Sequence, residues 1–326
     1  MSWILLYMGC PTPENAPPKA APRELAAADG VATADLDGDG TDDPVLIRSG
    51  VASWRGQTAE PGGLLQASAR QASGDREVLW VATGAGREAR EATQRVWKLT
   101  DTSAELVWER RTQRSQVPEL RVVGDRLWMS AFKDQKRVEG GWLSPDGSFS
   151  GEIAEALATV QLPLSDDDIL VGRIYGDRPK SDGDLRLMSR NASPKTLPTR
   201  RGVQSLQKVD LDGDGHDELL VGDGWHYAYG EHAVARVKLL QGPDWTEGRV
   251  IGAFDDDYTV RALHVLEGRV LAVGTSAVHL LERDELGWKD TVVTSVGESD
   301  WAVPFRDGGW NVLVSGDPSR VVPLGF

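Results

Sequence analysis

The chain has 326 residues, 40% of them hydrophobic, and carries 50 acidic against 36 basic side chains for a net charge of −14 at pH 7. Such a length and apolar content suffice to bury a large core, which excludes a disordered chain, and the acidic balance argues against a nucleic-acid partner, whose phosphates require clustered Lys and Arg. One cysteine, Cys10, leaves no internal disulfide framework and no cysteine-built zinc site.

In chain order, the first feature is the apolar run from Met1 to Gly9, ending in a small residue before Cys10 and a Pro-rich polar stretch. It resembles a bacterial lipoprotein signal peptide, in which the cysteine is lipidated and becomes the mature N-terminus. The resemblance implies a signal over 1–10 with lipidation at Cys10, a Pro/Ala-rich tether over 11–24, and a single folded domain over 25–326 outside the cytoplasm. A non-lipid secretory signal and a buried N-terminal strand are the alternatives. No other segment approaches the ~20 apolar residues that span a bilayer, so any membrane attachment is through that lipid alone.

Next comes Asp35-Leu36-Asp37-Gly38-Asp39-Gly40-Thr41-Asp42-Asp43, which recurs as Asp210-Leu211-Asp212-Gly213-Asp214-Gly215-His216-Asp217-Glu218. Side-chain oxygens at positions 1, 3 and 5, a backbone carbonyl at 7 and a carboxylate at 9 can surround a hard cation, while the glycines allow the left-handed turn. The expected ligands are Asp35, Asp37, Asp39, the Thr41 carbonyl and Asp43 in the first copy, and Asp210, Asp212, Asp214, the His216 carbonyl and Glu218 in the second, giving two Ca2+ sites. An EF-hand is disfavoured because its bidentate Glu at position 12 is replaced by Leu46 and Val221. Each loop runs into an aliphatic, β-branched segment that reads as a strand.

Between the two copies, Gly151 to Val160 reads as one short helix or another strand. The runs Asp166-Asp167-Asp168, Ser181-Asp182-Gly183-Asp184 and Asp255-Asp256-Asp257 lack the alternating glycines and read as solvated turns. After the second copy, Trp225, His226, Glu231 and His232 are the candidate ligand-binding residues, since aromatic platforms and imidazoles suit a sugar or a transition metal. Alternation of Trp225, Tyr227 and Tyr229 equally fits a strand packed between sheets. The twelve tryptophans are expected to fill gaps between sheets.

Short apolar segments end near Ile47, Val81, Met129, Val171, Val221, Val273 and Val314, about 44 residues apart on average, which is the length of a propeller blade. Trp245 and Trp288, each following an aliphatic strand and a turn, lie 43 residues apart and mark outer hairpins. The expectation is an all-β propeller, with seven four-stranded blades fitting the spacing best and six or eight as alternatives. The two acidic loops, 175 residues apart, then fall in blades 1 and 5.

The pattern Asp-x-Asp-Gly-Asp-Gly-x-x-Asp/Glu followed by Leu-Leu-Val-Gly resembles the FG-GAP or VCBS repeat, the blade unit of integrin α-subunit propellers and of many bacterial surface proteins. The resemblance covers residues 31–50 and 204–224, with the other blades related by spacing. It implies structural calcium, an extracytoplasmic location, and binding or adhesion to a protein or polysaccharide at the cell envelope. The chain has no Gly-x-Ser-x-Gly elbow, His-Glu-x-x-His or phosphate-cradling Gly-x-x-x-x-Gly-Lys-Ser, so a non-enzymatic, monomeric protein is expected. The alternatives are a polysaccharide lyase or hydrolase on a propeller and an envelope-assembly scaffold.

Overall fold

The computed structural model describes residues 21–62, 64–84, 92–112, 119–132, 137–156, 158–173, 184–199, 202–224, 234–242 and 244–326. The expected signal segment with Cys10 lies outside them, as do Trp225, His226, Glu231 and His232.

The described residues form twenty-eight strands, grouped as seven four-stranded antiparallel sheets. A first strand, β1 (Arg23–Leu25), lies within the stretch expected to begin as tether. Blade 1 follows as β2 (Gly30–Ala34), β3 (Asp43–Arg48), β4 (Val51–Trp54) and β5 (Gln57–Ala59). Blade 2 is β6 (Leu64–Ser73), β7 (Arg76–Gly84), β8 (Ala92–Leu99) and β9 (Ala104–Thr112), and blade 3 is β10 (Glu119–Val123), β11 (Arg126–Phe132), β12 (Arg137–Leu143) and β13 (Phe149–Ala156). Blade 4 is β14 (Ala158–Pro163), β15 (Asp168–Arg173), β16 (Leu185–Ser189) and β17 (Ala192–Leu197). Blade 5 comprises β18 (Gly202–Val209), β19 (Glu218–Gly224), β20 (Ala235–Gln241) and β21 (Glu247–Phe254), and blade 6 comprises β22 (Ala262–Leu266), β23 (Arg269–Val273), β24 (Ala277–Asp284) and β25 (Gly287–Ser295). Blade 7 takes three strands from the C-terminal end, β26 (Ala302–Arg306), β27 (Trp310–Val314) and β28 (Ser319–Pro323). Its fourth is β1, paired as Arg23↔Val321 and Leu25↔Ser319. Strand β1 and the three C-terminal strands thus close the ring.

Each apolar segment that set the repeat is the second strand of a blade. These strands are covered on both faces by neighbouring blades, so they read as continuous apolar runs: β19 is buried along its whole length, and β27 buries Asn311 to Val314. The third and fourth strands alternate instead, as in β4, where only Ala52 and Trp54 point inward. Residues 151–160, with 157 outside the described set, are strand: the end of β13 and the start of β14.

The core is divided into seven slabs, one between each pair of consecutive blades, including one between blades 7 and 1 built on Val31, Phe305 and Leu313. Four tryptophans (Trp54, Trp80, Trp108 and Trp128) are buried in these slabs. Six more (Trp97, Trp142, Trp245, Trp288, Trp301 and Trp310) pack against them, which is the gap-filling role expected of them.

Because successive strands are antiparallel, turns joining first to second and third to fourth strands share one face of the disc. Second-to-third connections and blade-to-blade links share the other.

Candidate metal centres

Both acidic loops join the first and second strands of their blade, 35–43 between β2 and β3 in blade 1 and 210–218 between β18 and β19 in blade 5. They therefore lie on the same face. Their backbones fold alike for a local reason: carboxylates at the odd positions accept amide hydrogens two to five residues ahead. Asp35 accepts from Gly38 and Gly40 at 2.9 Å each, and Asp39 accepts from Thr41 at 2.7 Å. In blade 5, Asp210 accepts from Gly213 at 2.7 Å and Gly215 at 3.0 Å, and Asp214 accepts from His216 at 2.8 Å. The closing carboxylate also turns back in both copies, with Leu36 N–H donating to Asp43 at 3.1 Å and Leu211 N–H to Glu218 at 2.8 Å. Gly38 and Gly213 adopt φ of 81° and 76°, and Gly40 and Gly215 both 86°, the left-handed turn that the glycines permit.

Three carboxylates converge in each loop. Oxygens of Asp35, Asp37 and Asp39 lie within 4.8 Å of one another, as do those of Asp210, Asp212 and Glu218, and either cluster could hold a metal ion. All ligands named are hard oxygen donors, which suits calcium rather than a thiophilic metal. Asp43 does not join its cluster and Asp214 does not join its own, so the two trios differ.

The surroundings of the two loops differ much more. The blade 1 loop is wedged between blades 7 and 2. Asp42 is buried and receives a fork of two 3.0 Å hydrogen bonds from Arg70 of β6, and the Arg306 amide at 2.6 Å from β26. Burial pushes the Asp42 carboxyl above the usual range, opposed by the charge of Arg70. Asp35 exchanges backbone and side-chain bonds with Glu77 of β7 and lies 3.7 Å from Arg306. Arg55, in the turn between β4 and β5, reaches Asp37 at 2.6 Å and Asp43 at 2.8 Å. Burial raises Asp43 too, with the hydrogen bond from Arg55 opposing it.

In blade 5 every loop residue from Asp212 to Asp217 is exposed, and only Glu218 is buried. Lys208 pairs with Asp217 at 2.5 Å, but among the described residues no cation lies within ion-pair distance of Asp210, Asp212, Asp214 or Glu218. Trp245, on the turn between β20 and β21, donates its indole N–H to the Asp217 carbonyl at 3.0 Å.

A cavity of about 320 Å³ has Thr33, Ser68, Arg70, Gln207, His264 and Trp310 among its lining residues, drawn from blades 1, 2, 5, 6 and 7. His264 Nε2 is inaccessible to solvent and has no hydrogen-bond partner among the described residues. Burial, helped by the charges of Arg70 and Arg121, pulls its pKa down to about 4, so it is neutral at pH 7.

A second ionic centre escaped the sequence reading. His279, on β24, places Nε2 2.9 Å from Asp257 and Nδ1 3.1 Å from Asp290, while its ring stacks on Phe254. Burial alone would lower its pKa, but the hydrogen bonds and charges of Asp257 and Asp290 outweigh it and push it up to about 9. The protonated ring donates to both carboxylates. Asp257, expected to be solvated, is 2% exposed and also accepts from Thr275 and Ser276. Asp166 and Asp167 do sit in an exposed turn, whereas Asp184 binds Arg173 and Arg186 at 2.6 and 2.9 Å. The one signal for His279 was a polar residue inside the apolar run Val278-His279-Leu280-Leu281.

No family model and no curated protein matches the chain. Among solved structures, its backbone is similar to the WD40 β-propeller domain of Doa1, at a TM-score of 0.55 and 16% identity, with 92% of each chain covered. It is similar also to the extracellular domain of BT4673 from B. thetaiotaomicron, described as a one component system, at a TM-score of 0.55 and 12% identity over 92% of this chain and 39% of that one. A third likeness is to the AfRom2 CNH domain, at a TM-score of 0.55 and 8% identity over 93% and 99%. The superpositions show a shared propeller fold and nothing beyond it.

Proposed function

We propose that this propeller is a calcium-stabilised binding protein of the FG-GAP/VCBS type, acting outside the cytoplasm as a monomer anchored by lipid at Cys10. The observation that carries the reading is the blade 5 loop. Asp210, Asp212 and Glu218 are held together by backbone hydrogen bonds, on an exposed turn, with no neighbouring cation of the described residues to neutralise them. Asp210, Asp212, Asp214, the His216 carbonyl and Glu218 would hold the ion. When bound, it supplies charge neutralisation and a fixed hairpin rather than chemistry. The first-strand and second-strand ends around it would become ordered together, which couples folding of blade 5 to the cation.

The working surface in this reading is a face of the disc that recognises a protein or polysaccharide of the cell envelope, a use for which rigid blades presenting turns are suited. The test is thermal unfolding of the chain with calcium and with chelator. Asp212→Ala is expected to remove the calcium-dependent gain, about 2.7 kcal/mol at a hundredfold excess over Kd, and to leave the melting temperature in chelator unchanged. An equal loss in both conditions would overturn the ligand assignment.

A further inference from the structure

We propose that Arg55 is the built-in cation of the blade 1 loop, so that the two copies of one motif have divided their roles. The loop of blade 1 is a metal-independent joint, and the loop of blade 5 alone exchanges a divalent cation. The proposal rests on reading both loops as cation-binding in design, and it adds which of them still is.

Arg55 meets the carboxylates that the motif offers at positions 3 and 9. Its Nη1 lies 2.6 Å from Asp37 Oδ2 and 2.8 Å from Asp43 Oδ1, while Nε lies 3.0 Å from Asp101 of the next blade. The other oxygen of each carboxylate is already taken by the loop backbone, Asp37 Oδ1 by the Asp39 amide and Asp43 Oδ2 by Leu36. The guanidinium therefore occupies the oxygens that would face an ion. A planar fork with five donors is suited to bridging carboxylates in this way.

Charge arithmetic agrees. Each loop carries five carboxylates. In blade 1, Arg55, Arg70 and Arg306 lie within 4 Å of them, leaving two negative charges uncompensated. In blade 5, among the described residues, only Lys208 does so, leaving four. The blade 5 loop therefore has fewer cations of its own for the same five carboxylates.

The corresponding turns make the substitution visible. Arg55 (φ 43°) and Trp245 (φ 50°) are both left-handed non-glycine residues between the third and fourth strands, and both reach the acidic loop of their own blade. One brings a charge and the other a neutral indole.

The experiment is the stoichiometry of terbium and calcium binding to the chelator-treated chain, by sensitised luminescence and calorimetry. One ion per chain is expected, lost in Asp212→Asn and kept in Asp37→Asn. Arg55→Met is expected to gain a second ion, which the added Asp37→Asn removes. Two ions in the unaltered chain, one of them lost with Asp37→Asn, would overturn the proposal, as would a folded Arg55→Met with no gain. Should Arg55→Met not fold, the Asp37→Asn result alone decides. If the unaltered chain binds no ion, the calcium reading of blade 5 fails, while a site gained in Arg55→Met still upholds the role of Arg55, and no gain ends it.

Discussion

The loops of blades 1 and 5 share a nine-residue pattern, the same left-handed glycines and all but one of their internal hydrogen bonds, the amide of Asp39 turning to Asp37 in one and that of Asp214 to Asp210 in the other, yet one is a joint and the other a projection. Asp35, Asp42 and Asp43 are buried in the first, and only Glu218 in the second. The larger part of the difference lies in the neighbours. The blade 1 loop lies between β26 of blade 7 and β7 of blade 2, which supply hydrogen-bonding partners, whereas the blade 5 loop is exposed from Asp212 to Asp217. A local motif can thus specify a conformation without specifying what neutralises it.

The largest expected effect separates the loops by burial. Arg70→Met would leave Asp42, with its side chain at 0% exposure, without its forked partner, and is expected to cost about 3 kcal/mol in urea unfolding. Lys208→Ala breaks an ion pair that is 38% and 43% exposed, and should cost less than about 1 kcal/mol. Equal costs would erase the distinction between joint and projection.

A smaller effect distinguishes the seams by pH. Around blade 1 the cations are arginines, which stay charged, but the seam between blades 5 and 6 depends on His279 against Asp257 and Asp290. Its folded pKa of about 9 lies above the ordinary 6.5. The stabilisation is therefore complete below pH 6.5 and is lost as pH rises through 9, on the order of 2 kcal/mol for a group so placed. Stability followed across pH 6 to 10 should show this fall in the unaltered chain and not in His279→Gln. His264 acts oppositely: with a folded pKa of about 4, it withdraws stability as pH falls from 6.5 toward 4.

The smallest expected effect tests the loops at matched glycines. An alanine Cβ at Gly38 would approach the Asp75 carbonyl oxygen of blade 2 to 2.8 Å, while at Gly213 it meets nothing within 4 Å. Both substitutions bear the left-handed cost of about 1 kcal/mol. Gly38→Ala should lose roughly a further 1 kcal/mol through the clash, and the comparison of melting curves in chelator reads the difference directly.

Much of the fold was legible because it repeats. Seven doubly covered second strands write the same apolar run every 44 residues or so, and the outer hairpins carry Trp245 and Trp288 at the same offset. Strand β1 was less so, because it is three residues long and is a strand only through its partner β28, some three hundred residues away. Of the candidate sites, the acidic loops were found from their spacing. Arg55, Arg70, Arg306 and the His279 centre were not, because isolated arginines and a histidine inside a strand carry no pattern.

What the sequence determined by itself is what short-range chemistry enforces: Asp side chains accepting amides a few residues ahead, glycines at left-handed positions, and strand alternation summed into blades. Tertiary structure alone decided which partner each carboxylate meets. The Arg306 backbone amide reaches Asp42 across 264 residues and the His279 ring reaches Asp257 across 22, because ring closure and blade packing bring those groups together. Electrostatic compensation acts over a few ångströms of space, irrespective of separation along the chain, so two loops of one pattern meet different cations.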